Sequence, residues 1–181
     1  QFNFQGLGPS LDAFHHVAVN HKVDILIRWG DPLFLDQKPF SDIELSADQQ
    51  ALRFGHGNDF VGLISVGNGR TLMSVNHEST IAELMFKGES FFSAKLADNI
   101  RIEMAAHGVS IFEIRMTEDS KWEVDLSSPY NRRITAHSQT QLSGPVAGHA
   151  RVQTKQDPSG INVLGTLGNC SGGVTPWETI L

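Results

Sequence analysis

The 181-residue chain carries 20 acidic against 14 basic side chains, a formal charge of −6, so it lacks the basic surplus with which a protein grips a nucleic-acid backbone. Its hydrophobic content of 40% is ordinary for one globular core, and no apolar run approaches the roughly 20 residues needed to span a bilayer. A single cysteine, Cys170, excludes an internal disulfide and any CxxC zinc motif.

Residues 1–21 are mixed in character and read as an irregular arm. The start has neither an initiator Met nor a charged-then-apolar leader pattern, so the numbered chain is expected to be a mature or trimmed form. Val23 to Trp29 is rich in β-branched and aromatic residues and predicts a strand, stopped by Gly30-Asp-Pro32. A polar connection follows, through Asp42 and Asp48, and loops of such length are often functional. Phe60–Val66 and Arg70–Asn76 flank Gly67-Asn-Gly69, residues that tolerate the positive φ of a tight hairpin turn.

From Phe91 to His107 the spacing changes to that of one helix. Leu96, Ile100 and Met104 share a face, Ser90 or Ser93 is available as N-cap, and Gly108 is the terminator. A second hairpin is predicted from Val109–Arg115 and Lys121–Leu126 around Glu118-Asp-Ser120. Strands are further expected at Ala147–Thr154 and Asn162–Leu167, separated by the turn Asp157-Pro-Ser-Gly160. Short strands between turns predict an all-β chain with one inserted helix, built from antiparallel strands as in a sandwich or propeller. The apolar Thr179-Ile-Leu181 resembles the opening of another strand, so the chain is expected to be a fragment.

Four places carry residues with chemistry. Gly165-Thr-Leu-Gly-Asn-Cys170-Ser-Gly-Gly-Val-Thr-Pro-Trp177 sets a lone thiol among four glycines, which let another group approach the main chain. Cys170 there is either a displayed ligand or nucleophile, or a small buried hydrophobe. Asn76-His77-Glu78 lies at a strand end. Glu78 could be a hard-metal ligand or an acid/base group oriented by His77, or part of a solvated rim. Asn58 and Asp59, in His56-Gly-Asn-Asp-Phe60, are rim candidates or an Asx turn. Arg132 and Arg133 are adjacent in extended chain and so point to opposite faces. One of them could offer its guanidinium fork to a phosphate or carboxylate; the alternative is a surface pair. His15-His16 reads as an exposed pair, and HExxH, GxxxxGK[ST] and GxGxxG are all missing from the sequence.

Seven stretches, taken together and in order, resemble the PhoX-type alkaline phosphatases: Leu26-Ile-Arg-Trp-Gly-Asp-Pro-Leu33, Phe54-Gly-His-Gly-Asn-Asp-Phe60, Val75-Asn-His-Glu78, Ile102-Glu-Met-Ala-Ala-His-Gly-Val-Ser110, Ser128-Pro-Tyr-Asn-Arg-Arg-Ile-Thr135, Gly144-Pro-Val-Ala-Gly-His-Ala150 and Leu164-Gly-Thr-Leu-Gly-Asn-Cys-Ser-Gly-Gly-Val-Thr-Pro-Trp177. The resemblance implies a β-propeller, incomplete as given, of which residues 1–181 are a single N-terminal domain. It implies a phosphatase acting on phosphate monoesters at a cluster of ferric iron (Fe3+) and calcium (Ca2+), with Cys170 and Glu78 as metal ligands. It further implies an arginine on the phosphate, for which Arg133 is the first choice and Arg132 the reserve, and Asn169 orienting the site. Relatives commonly have glycine where Glu178 stands.

The remaining carboxylates and arginines of the family are expected beyond Leu181, so the isolated chain is expected to be inactive. Relatives work in the periplasm or are secreted. Two other classes of function remain open at this point: a non-catalytic calcium-binding propeller or interaction module, and a propeller hydrolase acting on a different ester such as a lactone.

Overall fold

In the computed structural model, which describes residues 5–88 and 96–181, strand β1 (Asn58–Gly67) turns directly into β2 (Arg70–His77). Asn68 and Gly69 both take positive φ, 54° and 71°, and this mirror-image turn matches the twist of the flanking strands. Strand β3 (Gly108–Met116) pairs antiparallel with β2 from Arg70↔Arg115 to His77↔Gly108. Two short strands share the far side of β3: β4 (Trp122–Val124) beside Ile114–Met116, and β5 (Arg132–Ile134) beside Val109–Ile111. The second hairpin thus forms as predicted, with a shorter return strand. A separate two-stranded sheet joins β6 (Gln139–Gln141) to β7 (Asn162–Leu164).

The α-helices among the described residues are short: α1 (Ala47–Gln50), α2 (Ala82–Met85) and α3 (Ala97–Ala106), beside 3-10 turns at Phe40–Asp42 and Ala150–Val152. The described residues therefore form a mostly antiparallel β structure with few helices, in line with the all-β expectation.

Alternation along the strands places Val75, Phe112 and Ile114 on one face of the five-stranded sheet. They are buried there with Leu33 and Phe54, and Leu26, Ile27, Phe34, Met73 and Val124 pack around them. Phe54 meets Phe112 edge-on at 5.7 Å, and each such fully buried side chain contributes about 1.5–3 kcal/mol relative to exposure. Leu26 and Ile27 explain why Val23–Trp29 reads as a strand yet forms none. The run is apolar because it lies on this core, and it joins no strand ladder.

The polar connection after it is anchored by backbone bonds between Gly30 and Phe54 and between Phe54 and Asp31, at 3.0 and 2.9 Å. Arg53 is fully buried and donates to the carbonyls of Gly30 and Lys38 at 2.9 and 2.8 Å.

Helix α3 exposes the face that periodicity selected. Leu96 is 67% and Ile100 44% exposed, while Ile102, Glu103, Ala105 and Ala106 are buried. Ile102 and Ala106 instead pack with Met85, with Trp29, Leu45 and Phe86 closing around them, and that tertiary contact outweighs the larger apolar stripe. The N-cap candidates Ser90 and Ser93 lie outside the described residues. Where Ala147–Thr154 was expected to be a strand, Ala150–Val152 forms a single 3-10 turn. The partner of β7 is instead the polar Gln139–Gln141.

Candidate metal and phosphate site

The open end of the first hairpin is where the chemistry-bearing segments meet. Glu78 follows β2, and its backbone N–H donates to the carbonyl of Gly57 at 2.8 Å. The next turn is held by His56, whose Nδ1 lies 3.1 Å from the carbonyl of Ser79. Gly57 has φ +63°, and a Cβ there would stand 2.5 Å from the Ser79 hydroxyl, so the approach of the two chains requires glycine. Thr80 then donates to the buried Glu103 at 2.8 Å. The Glu78 side chain itself is exposed.

The cysteine loop arrives at the same end. Asn76, one residue before His77 and largely buried, donates its side-chain amide to the carbonyl of Ser171 at 3.0 Å. Gly172 lies against Phe60 of β1; a Cβ there would come 2.5 Å from the ring. Beyond the loop, Val174 and Ile180 form an antiparallel bridge, and Ile180 covers Gly62. Cys170 is a free, exposed thiol. Asn169 is half-buried and its side-chain oxygen accepts from the Thr166 hydroxyl at 2.8 Å. The thiol is therefore displayed on a loop that Asn76 latches to the strand carrying Glu78. The sequence reading placed Asn76 in the polar Asn76-His77-Glu78 strand end but assigned it no role.

The two arginines diverge as extended chain requires. Register places Arg132 opposite Ile111, which pairs with Ser74, so Arg132 shares the sheet face of Asn76 and the cysteine loop. It is exposed and donates to the carbonyl of Tyr130 at 3.2 Å. Arg133 turns to the other face. It donates to the carbonyls of Ala105 and His107, both at 2.8 Å, and to the Ser110 hydroxyl at 3.3 Å. Burial pushes its guanidinium down to about 9, which still leaves it cationic at neutral pH.

His77 is fully buried and sits edge-on to Phe54 at 4.7 Å. Burial first, and then the nearby Arg133 charge, push its pKa down to about 2, so the ring is neutral. Asn58 touches His77, and Asp59 is exposed beside it. Among the described residues no three His, Cys, Asp or Glu side chains are gathered closely enough to hold a metal ion by themselves.

A family model described as alkaline phosphatase PhoX matches residues 2–181. The chain belongs to the PhoX alkaline phosphatase family. Among solved structures it is similar to one described as Pseudomonas fluorescens PhoX in complex with vanadate, a transition state analogue, with 33% identity and a TM-score of 0.82. That match covers 91% of this chain and 28% of the other, so the chain spans a little over a quarter of its relative's length. Comparison with curated proteins gives no match.

Of the PhoX-like stretches in the sequence, those containing Trp29, Phe54–Phe60, Glu78, Ala105–His107, Arg133 and Cys170 converge on this one end. Their links run through Trp29 against His56 at 5.6 Å and His56 bonded to Ala106 at 3.1 Å, together with the contacts above. Gly144–Ala150 does not join them; the Gly148 N–H donates to the carbonyl of Gly160 at 2.9 Å, in the turn that precedes β7.

Proposed function

We propose that this chain is part of an enzyme that hydrolyses phosphate monoesters at an iron and calcium cluster. In this reading residues 1–181 form one domain of a β-propeller, and the protein is exported to the periplasm or beyond the cell. The observation that carries it is the latch between Asn76 and Ser171, which brings the loop of the only thiol to the strand end that bears Glu78.

The donor chemistry fits such a cluster. Cys170 offers a soft thiolate suited to iron, and Glu78 offers carboxylate oxygens suited to ferric iron and to calcium. Both side chains are exposed and uncommitted to the fold. The chain corresponds to 28% of its relative's length, so the reading assigns it two ligands of a larger set, with the isolated 181 residues inactive. When bound, the cations supply positive charge to the attacking and leaving oxygens of a phosphoryl transfer. The vanadate in the Pseudomonas fluorescens relative supports a site shaped for phosphoryl chemistry here as well.

The protein's own residues would bind and orient. Arg132 is exposed on the face shared with the cysteine loop and can meet a phosphate oxygen without losing an internal bond to another strand. Arg133, the first choice from sequence, would have to leave three internal acceptors, so the reading moves the phosphate contact to Arg132. Asn169 orients the loop through its bond to Thr166.

A substrate panel on the full-length protein tests the reading. Turnover of p-nitrophenyl phosphate that is lost on chelation and in Glu78→Gln is expected. Hydrolysis of a lactone with no phosphatase activity would contradict it. So would a calcium-stabilised protein that turns over no ester.

A further inference from the structure

We infer that Asn58, His77, Ser110 and Arg133 form a cross-strand polar ladder that positions the strand end bearing Glu78. The inference rests on the reading of Glu78 as a metal ligand, and it assigns these four residues positioning roles that act through that backbone.

The register creates the ladder. Asn58 of β1 pairs with His77 of β2. Ser110 of β3 pairs with Val75, one step along the same face, and with Arg133 of β5 on its other side. One side chain from each of four strands therefore stands in a row on a single face. The bonds follow that row: His77 Nδ1 to Asn58 Oδ1 at 2.9 Å, His77 Nε2 to Ser110 Oγ at 2.6 Å, and Arg133 Nη1 to Ser110 Oγ at 3.3 Å. Arg133 continues the row into the end of α3 through Ala105 and His107.

One proton order accounts for every bond of the row. Arg133 can only donate, so Ser110 accepts from it and gives its own hydrogen to Nε2 of His77, and Nδ1–H of His77 then donates to Asn58. The order is directional and leaves no choice at the ring. His77 and Ser110 are both fully buried, where a missing partner is costly.

Two glycines clear the space around it. A Cβ at Gly55 would lie 2.5 Å from Cγ of His77. Gly108, opposite His77 in the register with φ +102°, runs too close to the Ile134 carbonyl to admit a side chain. His77 is the last residue of β2, and the Glu78 N–H bond to Gly57 begins at once. Whatever fixes the His77 ring fixes the direction in which the chain leaves the sheet.

The test uses the full-length protein and Ser110→Ala, which breaks the ladder without touching Glu78, beside Ser128→Ala, which removes a buried hydroxyl from the separate Arg70–Glu113 cluster. Backbone hydrogen exchange over residues 77–80 is expected to accelerate about tenfold or more in Ser110→Ala and to stay within twofold of wild type in Ser128→Ala. His77→Gln, which keeps a donor and an acceptor, is expected to restore slow exchange relative to His77→Leu. Iron content should follow the same order. Equal exchange at 77–80 in Ser110→Ala and wild type overturns the ladder, whatever the metal content. If Glu78→Gln keeps its iron while Ser110→Ala still loosens 77–80, the ligand reading falls and the ladder stands.

Discussion

Gly55→Ala should be among the most damaging single-methyl changes in this chain. The added Cβ would stand 2.5 Å from Cγ of His77 and closer still to the carbonyl oxygen of Ala106. Ordinary contacts are close to 3.5 Å or more, so both the ring and the helix end must retreat, each by about 1 Å, or the Gly55 backbone must shift. The ring cannot move without straining its bonds to Asn58 and Ser110. The Ala106 carbonyl cannot move without weakening its bond from His56, 3.1 Å long. Overpacking of a filled site costs about 1–3 kcal/mol, and one weakened buried hydrogen bond adds about 1 kcal/mol. The expected loss is therefore about 2–4 kcal/mol, read by urea denaturation of the variant against wild type. Gly173→Ala, where a Cβ meets nothing within 4 Å, is the matched control and should stay within about 0.5 kcal/mol. A Gly55→Ala variant as stable as that control would refute the packing described around His77.

Asn131→Leu should cost about 3–5 kcal/mol. Its side chain accepts from the Glu113 N–H and donates to the carbonyls of Leu33 and Asp125, at 2.9, 2.8 and 2.7 Å; thermal unfolding checks it. Arg70→Ala should lower the midpoint of thermal unfolding, because it leaves the buried Glu113 carboxylate with fewer partners. The Arg70 hydrogen bond holds the Glu113 carboxyl below the usual range against the opposing effect of burial, and Ser128 assists. That stability is complete above the ordinary carboxylate pKa of about 4.3 and is lost as pH falls through the lower folded value. Acid titration of stability should thus be shallower in Glu113→Gln than in wild type. Cys170, free and exposed, should react with a maleimide in chelated full-length protein and be protected in the metal-loaded form; equal labelling of both would argue against metal at the thiol.

Local signals in the sequence were strong where a turn is chemically forced. Asn68-Gly69 announces the first hairpin because glycine and asparagine carry a backbone conformation that few residues accept, and the polar Glu118-Asp-Ser120 marks the second, where Ser120 takes φ 59°. Elements set by tertiary contact were harder to read. Val23–Trp29 has the composition of a strand because Leu26 and Ile27 pack against the sheet's apolar core, and nothing local distinguishes covering a sheet from joining it. The stripe of Leu96, Ile100 and Met104 has helical period, yet Ile102 and Ala106 face inward because the apolar partners, Met85, Trp29, Leu45 and Phe86, lie on that side. Gln139–Gln141 is polar on both faces and gave no strand signal.

At the candidate site, Glu78 and Cys170 were visible as residue types in unusual places. Their relation to one another was not, since it depends on Asn76 reaching a carbonyl 95 positions away. The inward role of Arg133 was likewise hidden. Extended geometry says that neighbours point apart, but only the register of β5 against β3 decides which of the pair turns toward Ser110.

The most direct test of the account is the iron content of purified full-length protein, wild type against Cys170→Ser, measured together with phosphomonoesterase activity. Cys170 is exposed and contributes nothing to the packing described above, so the variant should fold normally. The account predicts stoichiometric iron in wild type, with at least a tenfold loss of both iron and turnover in the variant. Unaltered iron and activity in Cys170→Ser, or active wild-type protein without iron, would contradict it.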